Sequence, residues 1–292
     1  MQDPSKPIWI NSENKEVTTI NLEEALKDKK NTISIYVATP VHDQCSIHYT
    51  RSLLQFQQEC LRNNILVSFS LLKSSLVTQG RNLSVANYLV ECEKTDYKYF
   101  LFIDSDIEFT FQTIKKMIEA DKDVIATPYP MKTLNWNKIA NRIKKNKIED
   151  GLTMALHGYT WPVKIENDKE ITVKNGVAEV THAPTGCMLI KKQVFEKMMK
   201  ELPDLKINQP TIVNGEEREE KYLYNFFDTY HEPETKRYYG EDFGFCKRWT
   251  EIGGKCYIYV EDYLTHVGEY RYTGRLIDDL DLKKIDESNK SK

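Results

Sequence analysis

Short apolar runs alternate with amphipathic stretches along the sequence from residue 32 onwards. The runs over residues 33–38, 65–72 and 98–103 predict β-strands, because they are short, rich in β-branched and aromatic residues, and bounded by polar segments. The stretches between them have the apolar spacing of amphipathic helices. Strands that alternate with helices form parallel sheets covered by helices. The pattern therefore predicts a doubly wound α/β fold with a mostly parallel central sheet.

The same alternation continues towards the C-terminus. Further strands are predicted over residues 124–126, 186–190 and 256–260. Helices are predicted over residues 47–63, 81–92, 111–120, 191–201 and 241–252. The last helix places Phe245, Trp249 and Ile252 on one face and ends at two glycines, which are common after helix C-termini.

We expect one large domain over residues 32–275, flanked by two polar segments. Residues 1–31 form a polar N-terminal appendage, in which a capping-box pattern predicts one short helix. Residues 276–292 form a charged, frayed tail. Within the domain, residues 127–180 are irregular, with prolines, tryptophans and a basic run. Long connections of this kind are usually binding loops or lids.

The composition is that of an ordinary globular protein and excludes several function classes. The 292 residues carry a formal net charge of -3, so no overall positive charge attracts nucleic acid, and we expect no nucleic-acid partner. No apolar run approaches the ~20 residues of a membrane-spanning helix, and the N-terminal residues are too polar for a signal peptide. We therefore expect no transmembrane segment and a cytoplasmic location. The six cysteines lack zinc-ligand spacing and are expected to be buried free thiols.

The strongest chemical signal follows the third predicted strand, where Asp104 and Asp106 stand one residue apart. In an extended segment both carboxylates would project to the same side, with Ser105 pointing away. Mg²⁺ and Mn²⁺ favour carboxylate oxygens and keep positions open for water or phosphate. Open α/β sheets also bind ligands outside the carboxyl ends of their strands. The alternative is a polar turn without a metal, because such triplets are common by chance.

Four short motifs together resemble those of GT-A-fold glycosyltransferases, and the resemblance extends over residues 32–275. The motifs are Ala38-Thr39-Pro40 after the first strand, Asp104-Ser105-Asp106, Glu241-Asp242, and His266 in a late Leu-Thr-His-Val-Gly segment. The resemblance implies a GT-A, Rossmann-like sheet flanked by helices in a single domain, with residues 127–180 as an insertion on the acceptor side. It also implies a divalent metal, Mn²⁺ or Mg²⁺, and a nucleotide sugar as donor.

The resemblance also assigns roles to individual residues of this chain. Contacts to the nucleotide or its diphosphate are implied for Thr39, Pro40, Arg81, Asp104, Ser105 and Lys132, and metal ligation for Asp104, Asp106 and His266. Imidazole is an acceptable Mn²⁺ ligand beside carboxylates. Without the resemblance, a lone histidine such as His266 is more often a structural side chain.

Catalytic roles are implied for Asp242 and Glu241. One of them, by family analogy Asp242, would take the proton from the acceptor hydroxyl as it attacks the anomeric carbon. The structural alternative is that both acids only stabilise a helix N-terminus, where unpaired amides and the helix dipole favour them. Arg248-Trp249, further along the predicted helix, resembles the end of a motif of inverting members, so inversion is the expected outcome.

Other residues carry weaker indications, each with a structural alternative. Arg81 is either a phosphate ligand or a cation on the helix surface. Tyr129 and Lys132 face the donor or anchor a proline-stiffened loop. Trp136 and Trp161 stack on a sugar or pack within the loops.

Two further segments carry indications of this kind. The basic run over residues 138–147 is expected to be a solvated face. Gly186 would let substrate approach the backbone closely.

The function that these patterns favour is transfer of a sugar from a UDP- or GDP-sugar to a hydroxyl acceptor, which is a hexosyltransferase activity. The acceptor would be a glycan, a glycolipid or a protein. Two alternatives remain open at this stage. A nucleotidyltransferase would use a similar sheet and metal but release pyrophosphate. A non-catalytic sugar-binding protein on a degenerate transferase fold would hydrolyse no donor.

Overall fold

The computed structural model describes residues 33–146, 151–164, 171–213, 215–268 and 272–280. The predicted appendage over residues 1–31, with its short helix, and the tail beyond residue 280 lie outside the described residues.

The described strands, in chain order, are β1 (Ser34–Val41), β2 (Leu66–Lys73), β3 (Tyr99–Ile103), β4 (Ile107–Glu108), β5 (Val124–Ala126), β6 (Val173–Lys174), β7 (Val177–Val180), β8 (Cys187–Lys191), β9 (Thr211–Val213), β10 (Glu216–Arg218), β11 (Tyr230–His231), β12 (Tyr238–Tyr239), β13 (Cys256–Tyr259), β14 (Leu264–His266) and β15 (Tyr272–Gly274). The described α-helices are α1 (Ile47–Arg62), α2 (Val77–Glu91), α3 (Phe111–Glu119), α4 (Trp136–Asn146), α5 (Gly151–Leu156), α6 (Lys192–Glu201) and α7 (Glu241–Glu251). Two short 3₁₀ helices cover Pro203–Leu205 and Leu276–Asp279.

An eight-stranded sheet in the order β2-β1-β3-β8-β5-β13-β7-β6 forms the centre of the fold. Strands β2, β1, β3, β5, β13 and β6 run in one direction, whereas β8 and β7 run in the opposite one. The prediction of an α/β fold with a mostly parallel central sheet is confirmed in these terms. The finer expectation of a GT-A fold stays a prediction.

Strand β8 is antiparallel to its two neighbours because it starts at the edge of the sheet where they end. The backbone N–H of Thr127, directly after β5, donates to the carbonyl of Cys187 at the start of β8, at 3.0 Å. A parallel strand would have to start at the opposite edge.

Both faces of the sheet are buried. In β3, Phe100 and Phe102 belong to one apolar cluster, and Leu101 and Ile103 to the other. The first cluster includes side chains of α2, α6 and α7, and the second includes side chains of α1 and α3. The near-continuous apolar character of β3 follows from this burial on two sides.

The region over residues 127–180 is more ordered than predicted. It contains helices α4 and α5 and the strands β6 and β7, of which β7 pairs with β13 in the main sheet. The periodicity did not reveal these strands because they are only two and four residues long.

Two predicted boundaries are wrong. Helix α2 begins at Val77, before residue 81, and the N–H of Gly80 already donates to the carbonyl of Leu76 at 2.9 Å. Arg81 therefore lies inside the helix rather than at its start. At the other end of the domain, residues 276–280 are not a frayed tail, because Leu276 is buried in the core.

The six cysteines are free thiols, as predicted; Cys45 and Cys92 are half-buried and the other four are buried. Within the described residues, no helix is long and apolar enough to cross a membrane.

Candidate functional site

Asp104, Ser105 and Asp106 form a turn rather than the end of an extended strand. Strand β3 ends at Ile103, and the N–H of Ile107 donates to the carbonyl of Asp104 at 3.0 Å. Because this hydrogen bond closes a turn, the segment is not extended as predicted, and the two carboxylates have different partners. Asp104 faces helix α2, and Asp106 faces strand β14.

Asp106 and His266 lie together because β4 pairs with β14. His266 is opposite Ile107 in this antiparallel pair, and the N–H of Val267 donates to the carbonyl of Asp106 at 2.7 Å. His266 Nε2 is 3.3 Å from Asp106 Oδ2. His266 Nδ1 is 3.0 Å from the carbonyl of Pro130, which can only accept a hydrogen bond. Because that carbonyl can only accept, the Nδ1 of His266 carries the proton of this hydrogen bond.

The neighbours of the Asp106 carboxylate are Lys132 and His266, which favour its ionised form. Lys132 Nζ is 2.6 Å from Asp106 Oδ2, on the same oxygen that faces His266. Burial by itself would raise the pKa of Asp106, but hydrogen bonds and charge from His266 and Lys132 lower it to about 2. The carboxylate is therefore ionised at neutral pH, and its oxygen is directed at positive charge.

Arg81 connects Asp104 to the start of helix α7. Its side chain is only 4 % exposed. Nε donates to Glu241 Oε1 at 3.0 Å, and Nη2 lies 3.0 Å from Asp104 Oδ1. The guanidinium also stacks over Phe102, 4.9 Å from the ring centroid. Burial would lower the pKa of Arg81, but the two carboxylates raise it, so the group stays charged.

The burial of Arg81 excludes the alternative of a cation on the helix surface, whereas a contact to the nucleotide or its diphosphate stays a prediction. Two edges of the Arg81 guanidinium are engaged by carboxylates, and Nη1 is buried without a hydrogen-bond partner among the described residues. Glu241 is likewise committed to Arg81. The catalytic roles of Glu241 and Asp242 stay predictions.

Asp242 is paired with His182, a residue that the sequence analysis missed. His182 Nε2 is 3.4 Å from Asp242 Oδ2, and the imidazole stacks on Phe243 with a centroid separation of 3.3 Å. Burial would lower the pKa of His182, but Asp242 and Cys246 raise it to about 9. The same pairing lowers the pKa of Asp242 against the effect of burial. No motif surrounds His182, so no sequence signal could have identified it.

Tyr129 occupies the space next to Gly186. A Cβ atom at Gly186 would lie 2.5 Å from the Tyr129 ring. The glycine therefore makes room for this side chain, whereas the sequence had predicted that it makes room for a substrate. The ring also meets His266 edge-on, with centroids 5.1 Å apart. Burial raises the pKa of Tyr129 well above its usual range, and Asp104 adds to the effect. Tyr129 is therefore a neutral hydroxyl at the centre of the site.

The residues predicted to contact the nucleotide are differently placed. Thr39 is fully buried, and its hydroxyl is 2.6 Å from the hydroxyl of Tyr49. Pro40 is half-buried at the end of β1. Ser105 is half-buried in the turn, and its carbonyl accepts the N–H of Ser46 at the start of α1, at 2.8 Å. Thr39 thus has a structural hydrogen bond, whereas the roles of Pro40 and Ser105 stay predictions.

Several other candidates have structural partners. Lys138 and Arg142, predicted to be solvated, bind the side chain and the carbonyl of Asp279 at 2.6 and 2.8 Å. Arg248 donates to the carbonyls of Phe226 and Asp228. Trp161 is partly buried against the core, whereas Trp136 is largely exposed.

The described residues contain no group of three or more histidine, cysteine, aspartate or glutamate side chains arranged to hold a metal ion. Asp104, Asp106 and His266, the predicted ligands, separate into the Arg81–Asp104 pair and the Asp106–His266 pair. Metal ligation at these residues stays a prediction.

We compared the chain with known proteins. No protein-family model and no curated protein sequence matches it. Among solved structures, it is similar to A197 from STIV, with a TM-score of 0.42 and 17% identity over 82% of this chain and 87% of that one. It is also similar to a glycosyltransferase involved in the glycosylation of the major capsid of PBCV-1, with a TM-score of 0.29 and 9% identity over 58% of this chain and 69% of that one. Both scores are too low to support an inference about family or activity.

Proposed function

We propose that this protein is a divalent-metal-dependent glycosyltransferase that moves a sugar from a nucleotide-diphosphate sugar to a hydroxyl acceptor. The observation that carries the proposal is the Asp106–His266 pair, in which a carboxylate oxygen and an imidazole nitrogen lie 3.3 Å apart, close enough to Asp104 for the charge of Asp106 to affect that carboxyl. Asp106 lies after β3, at the sheet edge where open α/β folds bind ligands.

The donor atoms fit a hard divalent cation. Asp106 Oδ2 and His266 Nε2 are 3.3 Å apart, close to the ~3 Å between neighbouring ligands of an octahedral ion with bonds of about 2.1 Å. Two protein ligands leave positions for water and phosphate oxygens, which is typical of Mg²⁺ and Mn²⁺ sites. Lys132 Nζ forms an ion pair with the same oxygen of Asp106, which supports the preference of this oxygen for positive charge. When bound, the cation would neutralise the charge of the leaving diphosphate.

The remaining residues supply proton transfer and positioning. Asp242 is ionised at neutral pH and is proposed to accept the proton of the acceptor hydroxyl as its oxygen attacks the anomeric carbon. The bond from that carbon to the diphosphate breaks in the same displacement, so the configuration is inverted. Arg81 positions Asp104 and, through Glu241, the first turn of α7.

The test is the release of nucleoside diphosphate from UDP-, GDP- and dTDP-sugars with Mn²⁺. We expect release from one donor by the native chain, and a loss of about a hundredfold or more in Asp106→Asn, because charge stabilisation of the leaving group is removed. Calorimetric binding of Mn²⁺ in the presence of the matching nucleoside diphosphate gives a second readout.

Asp204→Asn is a matched control, because Asp204 is an exposed aspartate in the 3₁₀ helix after α6. Equal release by Asp106→Asn and the native chain would overturn the metal assignment. Release of pyrophosphate from nucleoside triphosphates would instead identify a nucleotidyltransferase.

A further inference from the structure

A small cleft lies against helix α7, beside the Asp242–His182 pair. Its volume is about 200 Å³. Aromatic rings of Tyr230, Tyr239 and Phe243 line it, together with His182 and the charged side chains of Lys164 and Glu232. None of these six residues was singled out by the sequence analysis.

The aromatic rings form a continuous series along the cleft. Tyr230 and Tyr239, on paired strands β11 and β12, are nearly parallel, with an interplanar angle of 17° and centroids 6.1 Å apart. Tyr239 contacts Phe243 with centroids 4.9 Å apart, and Phe243 stacks on His182. The series thus extends from the β11–β12 hairpin to the buried imidazole.

The cleft is one imidazole ring away from the proposed base. His182 lines the cleft and also lies 3.4 Å from Asp242 Oδ2. The charge of Arg81, which binds Asp104, in turn contributes to the lowered pKa of Asp242. Interacting side chains therefore connect the cleft to Asp104, in the turn that also holds Asp106.

The lining matches the surface of a sugar ring. Pyranose rings have apolar C–H faces, which aromatic faces cover, and a rim of hydroxyl groups that both donate and accept hydrogen bonds. Glu232 supplies an acceptor, and Lys164 and Lys247, which also lines the cleft, supply donors. The volume is below the ~300–1,000 Å³ of sites that enclose drug-sized ligands, which suits a single ring.

We propose that this cleft binds one sugar unit of a carbohydrate acceptor, beside the His182–Asp242 pair. The inference rests on the proposed function, because it gives the hydroxyl acceptor a chemical class. Among glycan, glycolipid and protein acceptors, it favours those in which the hydroxyl belongs to a sugar.

The experiment measures binding of a panel of methyl glycosides of common hexoses, pentoses and N-acetylhexosamines to the full chain. We expect at least one glycoside to bind, with saturation transfer from aromatic protons of the protein to the C–H protons of the sugar. Tyr239→Ala should weaken its binding about tenfold, and Tyr239→Phe should retain it, because only the former removes the stacking face.

Tyr238→Ala is the matched control. Tyr238 is the neighbour of Tyr239 in β12, is 69 % exposed and does not line the cleft, so its removal should leave glycoside binding unchanged. Equal weakening in both variants would overturn the assignment of the cleft.

Failure of this inference and failure of the proposed function are distinguishable. If the native chain releases nucleoside diphosphate but no glycoside binds, or binding is insensitive to Tyr239→Ala, the cleft is not the acceptor subsite and the inference is wrong. If a glycoside binds with the Tyr239 dependence but no nucleotide sugar is turned over, the cleft is a sugar site and the transferase proposal is wrong. The saturation-transfer pattern of the native chain decides the case in which Tyr239→Ala does not fold: contact between sugar and aromatic protons supports the cleft, and its absence overturns it.

Discussion

His182 combines full burial with a charge. Its side chain is 1 % exposed, and its ring is held between Phe243, Cys246 and Asp242. A buried imidazolium is stable only if an opposite charge compensates its desolvation. Asp242 provides that charge, since its own pKa is lowered, whereas the pKa of the Cys246 thiol is raised well above its usual range and the thiol stays neutral. The ion pair fixes the position of the Asp242 carboxylate.

The His182–Asp242 pair predicts a pH-dependent stability. Because the pKa of His182 is raised from 6.5 to about 9 on folding, its stabilising effect is complete below pH 6.5 and is lost as the pH rises through 9. We expect His182→Gln to lower the free energy of unfolding by on the order of 3 kcal/mol at pH 6, with a much smaller difference above pH 9.5. Urea unfolding at several pH values measures it.

The control for this effect is His231→Gln, which removes an exposed histidine. Its free energy of unfolding should follow that of the native chain across the pH range. A destabilisation by His182→Gln that is constant from pH 6 to pH 9.5 would contradict a charged His182, because lost packing alone does not depend on pH.

At the scale of elements, Arg81 joins three parts of the fold. It lies in α2, binds Asp104 after β3 and binds Glu241 in the first turn of α7. Helices α2 and α7 both cover the same face of the sheet, but no ladder of backbone hydrogen bonds fixes their relative positions. The buried ion pairs of Arg81 with Asp104 and Glu241 fix these positions instead. The acids of the site are held at defined separations for this reason.

Removal of the Arg81 charge should therefore be costly. We expect Arg81→Met to lower the free energy of unfolding by about 3–5 kcal/mol, because it leaves two partly buried carboxylates without their cation. Arg81→Lys keeps the charge but cannot bridge both acids, so an intermediate loss is expected. Denaturant titration at neutral pH measures both variants.

Arg51→Met provides the comparison. Arg51 also pairs with a carboxylate, that of Glu108, but its side chain is 60 % exposed, so the expected loss is below about 1 kcal/mol. If Arg81→Met and Arg51→Met had equal effects, the Arg81 bridge would have no special role in joining α2 to α7.

The helices and long strands of this protein were largely predictable from the sequence. The bounds of α1, α3, α6 and α7 agree with the predicted ranges within about two residues, because their apolar faces have a clear helical period. The direction of β8 was not predictable, since it depends on where a long connection returns to the sheet. The start of α2 was missed because Leu76, at its N-cap, makes no capping hydrogen bond that a sequence pattern could reveal.

At the scale of the whole molecule, the site is assembled from distant segments. The sequence singled out five of its residues as candidates, and the fold brings them to one edge of the sheet: Asp104, Asp106, Glu241, Asp242 and His266. Their pairing was not predictable. It depends on the turn after β3 and on the β4–β14 pair, and neither has a periodic signal because both involve only a few residues.

The C-terminal boundary of the domain is a further property of the whole molecule. Residues 276–280 contact helix α4, which belongs to the region over residues 127–180 that was predicted to form binding loops or a lid. Leu276 is buried in the main core, with Ile277 and Leu280 packed beside it. Asp279 receives Lys138 and Arg142 of helix α4, so the same short segment neutralises part of the basic run.

Truncation tests this boundary directly. We compare a chain that ends at residue 275 with one that ends at residue 280, so that residues 281–292 are absent from both and the difference reports on five residues alone. The shorter chain loses the buried Leu276 and leaves Lys138 and Arg142 without Asp279, so we expect its free energy of unfolding to be lower by about 3 kcal/mol or more. Equal denaturation midpoints would show that the domain ends at residue 275. A lower midpoint that Leu276→Ala in the longer chain largely reproduces would assign the effect to core packing rather than to the ion pairs of α4.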